Sequence, residues 1–168
     1  IDWTPVWSLT QQQHKYLPTA FCYYHYPMPD AERFCKADSN GNATGNTLEE
    51  AILQGFLELV ERDSVALWWY NQLSRPGVDL SSFDEPYFIQ LQQFYQKQNR
   101  EIWVLDLTAD MGIPAFAGLS YRTVGTERIA IGFGAHLDPK IAILRARSAR
   151  RSAGNSDQAG FTPVLSSP

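Results

Sequence analysis

The stretch from Thr47 to Leu73 has the clearest periodic pattern in the chain, and this pattern predicts one long helix. On a helical wheel with about 3.6 residues per turn, most apolar residues fall on one side and are expected to face a core. Thr47 followed three residues later by Glu50 is typical of a capping box at a helix N-terminus. The turn-forming run Ser74-Arg75-Pro76-Gly77 is expected to end the helix. The apolar positions are Leu48, Ile52, Leu53, Phe56, Leu57, Leu59, Val60 and Leu67.

The rest of the pattern predicts several strands and a second helix. Aromatic and β-branched runs bounded by turn residues predict strands at Trp7–Thr10, Thr19–Tyr26, Arg33–Ala37, Ile102–Leu107, Ile113–Tyr121 and Ile129–Ala135. Pro114 and Gly118 predict that the strand containing them is bent or lies at a sheet edge. Asp84-Glu85-Pro86 predicts a helix start, followed by a buried stripe of Tyr87, Phe88, Leu91, Phe94 and Tyr95. This order of elements predicts an α+β fold, with a mainly antiparallel or mixed sheet and helices packed on one face.

The other side of the long helix carries three carboxylates, an amide and an arginine. Glu50, Gln54, Glu58, Glu61 and Arg62 fall within about 120° of one another on the wheel. One interpretation is a solvated helix face, with Glu58 and Arg62 forming an ordinary i,i+4 ion pair. The other is a metal or phosphate site, because no lysine offsets the three acids and Mg²⁺ prefers carboxylate and amide oxygens. The pattern alone leaves both open.

A loop of small and turn-forming residues, numbered 39–46, leads into this helix. A helix N-terminus favours an anion, and Gly41 and Gly45 would allow the backbone to approach phosphate oxygens. Ser39 and Thr44 would add hydroxyl donors. The alternative is a plain surface loop before a capped helix. The loop is neither a P-loop nor a dinucleotide fingerprint.

Loop and helix together, SNGNATGNTLEEAILQGFLELVERD, resemble the nucleotide-binding signature of the YcaO-domain family. The resemblance is to the azoline-forming cyclodehydratases, including the cyanobactin-type heterocyclases. It also includes the segments Trp3–Leu9, Arg75–Asp79 and Gly132–Pro139, and so extends over most of the first 145 residues.

The resemblance implies an ATP- and Mg²⁺-dependent site. Carried over position by position, Glu58 and Glu61 match the metal-binding pair of the family. Ser39, Gln54 and Arg62 match positions expected to contact the nucleotide, with Arg62 either binding phosphate or orienting Glu58. The resemblance assigns no catalytic residue.

The implied reaction forms thiazoline or oxazoline rings from Cys, Ser or Thr of a ribosomal precursor peptide, with phosphorylation of the backbone amide oxygen by ATP. The implied partners are a precursor peptide with its leader, a leader-binding protein or upstream domain, and a second copy in a homodimer. Two alternatives stay open. One is a non-catalytic scaffold that binds a partner or leader peptide, and the other is a different YcaO chemistry, such as thioamide formation or an accessory role in ribosomal protein modification.

The chain departs from the family pattern after Ala146. Relatives continue with a helix carrying further acidic and amide ligands, whereas here four of the fourteen basic residues lie between Arg145 and Arg151. We therefore expect a partial YcaO-like ATP-binding domain at 1–146 and an aberrant, disordered tail at 147–168. A change of reading frame would explain the shift, and a short basic arm for nucleic acid is the alternative. The chain by itself is expected to be inactive.

Composition narrows the class of protein. A net charge of −4 argues against general binding to nucleic acid or acidic membranes. No apolar run is long enough to span a bilayer, and Cys22 and Cys35 are isolated, which favours free thiols in the cytoplasm. The chain begins at Ile1, so an upstream part is expected, and the incomplete sheet and helix layer are expected to leave apolar surface uncovered.

Overall fold

A computed structural model describes residues 1–29, 34–126 and 128–148, and the tail predicted at 147–168 lies outside them except for the backbone of Arg147 and Ser148. The chain divides into two compact units, Ile1–Asn40 and Gly41–Pro168. No helix in the described part of the chain is both long and apolar enough to cross a bilayer.

The first unit is built on a hairpin. Strands β1 (Trp3–Ser8) and β2 (Gln13–Pro18) pair antiparallel. The strand predicted at Thr19–Tyr26 is wrong, because Thr19–Cys22 forms one helical turn, α1, directly after Pro18. A hydrogen bond from Tyr23 N to Thr19 O (3.0 Å) closes that turn. The strand predicted at Arg33–Ala37 is also wrong over its described residues, 34–37, which form neither strand nor helix.

Over its described residues, the second unit contains a three-stranded antiparallel sheet and three α-helices, which confirms the predicted α+β class. The strands are β3 (Arg100–Asp106), β4 (Ala115–Arg122) and β5 (Ile129–Ala135), in the order β3-β4-β5. The helices are α2 (Leu48–Tyr70), α3 (Pro86–Lys97) and α4 (Pro139–Ser148), with a 3₁₀ helix at Leu80–Phe83. The strand predicted to be bent or to lie at an edge corresponds to the central strand, β4, so the edge alternative is wrong. Pro114 precedes it, and Gly118 pairs with Val104 and Gly132 on either side.

Helices cover both faces of this sheet, so the expectation of a single covered face is wrong. On one face, Val60 and Trp68 of α2 pack against Leu105, Ala117 and their neighbours. On the other face, Phe88 of α3 and Ile143 of α4 pack with Val104 and Phe116. The alternation of adjacent positions along each strand produces this division, because successive side chains point to opposite faces.

Helix α2 begins and ends close to its predicted bounds, but its buried side is narrower than predicted. The buried residues are Gly55, Leu57, Val60, Ser64 and Trp68. Of the eight predicted core positions, Leu48, Ile52, Leu53, Phe56, Leu59 and Leu67 are exposed. The sheet contacts α2 along one strip only, so the apolar positions outside that strip are not covered by the described residues.

Helix α3 starts at Pro86, within the predicted start Asp84-Glu85-Pro86. Asp84 has a left-handed φ of 48° and ends the 3₁₀ helix, and Glu85 is the N-cap without a capping side-chain hydrogen bond. Phe88 is fully buried at 0% exposure. Of the rest of the predicted stripe, Leu91 and Tyr95 are half-buried, whereas Tyr87 and Phe94 are exposed.

Candidate nucleotide and metal site

Four of the five polar residues predicted on one side of the long helix lie together along α2 and flank its buried strip. Gln54, Glu58 and Glu61 are half-buried, and Arg62 is exposed. The Arg62 Nη2 atom donates to Glu58 Oε1 at 3.2 Å and lies 4.0 Å from Glu61 Oε1. One guanidinium therefore donates to the carboxylate four residues earlier, as helical spacing allows, and forms a longer ion pair with the adjacent Glu61. Of the two roles expected for Arg62, this contact favours the orienting one.

Glu61 is a carboxylate of the site whose pKa is raised. Burial raises its pKa above the ordinary value of 4.5, and the negative charge of Glu58 adds to this effect. Arg62 and, more weakly, Arg145 oppose the shift, but the pKa of Glu61 stays raised. A cation bound beside these carboxylates would relieve the cost of the buried charge.

Arg145 of α4 is a site residue that the sequence analysis missed. Its Nη2 atom donates to Gln54 Oε1 at 2.8 Å, and its Nη1 atom donates to the carbonyl oxygen of Ala135 at 3.3 Å. Ala135 is the last residue of β5, so the contact runs over the end of that strand to α2. Gln54 and Arg145 are 91 positions apart, and no local pattern pairs residues at such a distance.

Gly41, in the loop before α2, has a packing role in the structure. Gly41 has a left-handed φ of 79°, and its carbonyl oxygen lies against the helix at Gly55. A Cβ atom at Gly55 would come within 2.5 Å of that oxygen. The pair therefore allows the loop to pack directly on α2, and the approach of Gly41 to a phosphate group stays a prediction.

The capping box is half confirmed. Glu50 N donates to Thr47 Oγ1 at 3.2 Å, as predicted. The Glu50 carboxylate accepts from Asn46 N at 2.7 Å and Asn46 Nδ2 at 3.1 Å, not from the backbone of Thr47. Glu50 is thus engaged with the loop at the start of the helix.

The remaining predicted site residue, Ser39, belongs to the first unit and is exposed, so its role stays a prediction. Among the described residues, no group of three or more His, Cys, Asp or Glu side chains is placed to hold a metal ion. Glu58 and Glu61 thus supply two carboxylates. Two carboxylates are a sufficient protein contribution for Mg²⁺, which usually takes its other ligands from water and substrate phosphates.

Known proteins resemble the chain over most of its length. A family model described as YcaO cyclodehydratase, ATP- and Mg²⁺-binding, matches residues 1–148. A solved heterocyclase in complex with substrate and cofactor matches 86% of the chain with 75% identity and a TM-score of 0.84. The heterocyclase TruD matches 86% with 77% identity and a TM-score of 0.82. The YcaO protein of Methanopyrus kandleri bound with AMPPCP and Mg²⁺ matches 86% with 27% identity and a TM-score of 0.67.

The chain spans only a minor part of these proteins. It covers 19% of the first heterocyclase chain, 21% of TruD and 38% of the Methanopyrus kandleri chain. The matched region includes α2 and α4, and therefore the polar cluster and Arg145.

Proposed function

We propose that the chain is a part of a peptide heterocyclase and contributes one side of the nucleotide site. The basis is that the chain belongs to the YcaO family of ATP- and Mg²⁺-binding cyclodehydratases. The observation that carries the proposal is the half-buried pair Glu58 and Glu61, held by one arginine on α2. Sequence similarity also supports the proposal, since 86% of the chain aligns with two solved heterocyclases at 75% and 77% identity.

The residues of α2 fit a magnesium nucleotide. Glu58 and Glu61 would hold Mg²⁺, because adjacent carboxylates are hard oxygen ligands and the buried charge of Glu61 favours a cation nearby. Arg62 holds the Glu58 carboxylate in place, and Gln54 adds an amide one turn earlier. When bound, MgATP would supply the phosphoryl group that converts an amide oxygen of the substrate into a leaving group.

The substrate and partners follow from the same assignment. The proposed substrate is a ribosomal precursor peptide with a leader, whose Cys, Ser or Thr residues become thiazoline or oxazoline rings. The proposed partner is a leader-binding protein or an upstream domain, with a second copy of the chain as a further candidate. The proposed location is the cytoplasm.

A second candidate is a non-catalytic scaffold that keeps the fold and binds a partner or leader peptide. The small number of possible metal ligands favours this candidate. Glu58 and Glu61 supply two carboxylates, and the described residues contain no group of three or more His, Cys, Asp or Glu side chains placed to hold a metal ion. The two candidates differ in nucleotide binding. A heterocyclase part binds nucleotide in a Mg²⁺-dependent way, whereas a scaffold has no need to.

Calorimetric titration of the 168-residue chain with AMPPCP, with and without Mg²⁺, tests the proposal. We expect Mg²⁺-dependent binding that weakens by roughly tenfold or more in Glu58→Gln and in Glu61→Gln, because each variant removes a charged ligand of the cation. Asp63→Asn is the matched control, an exposed carboxylate on the same helix whose loss should leave the affinity unchanged. Binding that is absent, or that is equal in all four proteins, contradicts the proposal.

An ATP-hydrolysis assay tests whether the chain alone is active. We expect no ATP hydrolysis above background when the chain alone is mixed with a precursor peptide, because it supplies one side of the site. Hydrolysis above background would contradict this expectation of inactivity.

A further inference from the structure

The contact between Arg145 and Gln54 fixes which end of the amide faces the guanidinium. Arginine has N–H donors and no acceptor, so its partner at 2.8 Å must be the amide oxygen, Gln54 Oε1. That oxygen lies against a permanent positive charge, which opposes the approach of a second cation. Only the Nε2 hydrogens of the Gln54 amide can therefore contact another ligand without electrostatic repulsion from Arg145.

The packing of α4 keeps Arg145 in this position. Ala142, Ile143 and Ala146 of α4 are buried at 0%, 0% and 1% exposure. A Cβ atom at Gly134 of β5 would come within 2.3 Å of the Ala142 carbonyl oxygen, so strand and helix are in direct backbone contact. The second hydrogen bond of Arg145, to Ala135 O at 3.3 Å, ties its guanidinium to the same strand. The side chain is thus held between the end of β5 and α2.

We propose that Arg145 is a positioning residue that holds Gln54 Oε1, so that Gln54 acts as a hydrogen-bond donor to the nucleotide phosphates and not as a ligand of Mg²⁺. This inference rests on the proposed function, because it assigns a chemical role within the same site. It divides the polar side of α2 into two parts. Glu58 and Glu61 receive the cation, and Gln54 receives the anion.

The substitution Gln54→Glu separates the two roles of residue 54, because they change affinity in opposite directions. A glutamate keeps the contact with Arg145 as an ion pair, but it loses the Nε2 donors and places a negative charge near the phosphates. We expect the affinity for AMPPCP with Mg²⁺ to fall roughly tenfold or more. If residue 54 were a metal ligand, the carboxylate would bind Mg²⁺ better than the amide, and equal or tighter binding would overturn the inference.

A double-mutant cycle tests whether Arg145 acts through Gln54. We expect Arg145→Met to weaken AMPPCP binding when Gln54 is present and to have almost no further effect when it is combined with Gln54→Met. Arg145→Lys, which keeps a charged donor, should restore part of the affinity. Additive losses in the double variant would overturn the inference, since they would indicate a general effect on the fold.

NMR of the chain without nucleotide tests the contact independently of the proposed function. We expect the side-chain amide of Gln54 to be rigid in the native chain and mobile in Arg145→Met, while that of the exposed Gln93 is unchanged. A Gln54 amide equally mobile in both proteins overturns the positioning role. A rigid amide in a chain that binds no magnesium nucleotide refutes the proposed function and the donor role, but it supports the contact.

Discussion

At the scale of single residues, the site is governed by the cost of burying charge. Glu61 is half-buried beside Glu58, and one exposed arginine serves both carboxylates. The pKa of Glu61 stays raised despite Arg62 and Arg145, so in the absence of a ligand the negative charge is not fully compensated. Proteins often accept such a cost in stability at sites that bind ligands.

The raised pKa of Glu61 gives its stability effect a definite sign. Between the unfolded value of about 4.5 and the higher folded value, the folded state binds more protons than the unfolded state. The contribution of Glu61 to stability is therefore lost as pH rises through that window, and at neutral pH its charge is a cost.

We expect Glu61→Gln to be more stable than the native chain at pH 7, with the difference shrinking as pH falls towards 4.5. Urea denaturation across this range, with Asp63→Asn as control, measures it. A less stable Glu61→Gln at pH 7 would show that the ion pair outweighs burial.

Sequence reasoning reached the residues of α2 and missed their partner on α4. The contact between Glu58 and Arg62 follows from helical spacing, so it was foreseeable. The contact between Gln54 and Arg145 depends on how α4 packs beside the end of β5, which no local pattern specifies. In the sequence, Arg145 appeared as the first member of a basic run.

At the scale of elements, close backbone contacts place the loop and the helices that form the site. Gly41 and Gly55 bring the loop onto α2, and Gly134 brings α4 onto β5. The helix itself was predictable from its cap and its periodicity. The width of its buried strip was not predictable, because it depends on how the sheet packs against the helix. The strand order of that sheet, with β4 in the centre, was not predicted either.

The contact at Gly55 leads to a stability prediction. In Gly55→Ala the new methyl group would lie 2.5 Å from the Gly41 carbonyl oxygen, so the loop must move away from α2. We expect a loss of about 1–3 kcal/mol in the free energy of unfolding, as for overpacking at a tight contact. Denaturant melts measure this loss. Gly77→Ala is the matched control, because a Cβ atom there meets no atom within 4 Å, and it should stay within about 0.5 kcal/mol of the native chain. Equal stability of the two variants would contradict the importance of the contact.

At the scale of the whole molecule, much apolar surface is open. Leu48 and Tyr70, at the two ends of α2, are 72% and 83% exposed, and Phe56 and Leu59 between them are also exposed. The sequence analysis predicted uncovered apolar surface, and the structure shows it on the part of the chain that it describes. Periodicity reports only on neighbours along the chain, so it does not specify how distant helices and strands pack together.

The open surface leads to a prediction about association. We expect the 168-residue chain, of mass 19.0 kDa, to self-associate at micromolar concentration, because large exposed apolar patches favour contact between molecules. Replacing Phe56 and Leu59 with glutamine should reduce this association. Sedimentation velocity distinguishes the states. A native chain that sediments only as a monomer would contradict the prediction.

The most direct test of the central claim locates the cation on the chain. Mn²⁺ takes the same oxygen ligands as Mg²⁺ and broadens the NMR signals of nearby nuclei. With AMPPCP present, we expect the strongest broadening at the backbone amides of Glu58, Glu61 and Arg62, and its loss in the Glu58→Gln variant. Broadening centred on other carboxylates, such as Asp79 or Asp110, would contradict a magnesium nucleotide on α2.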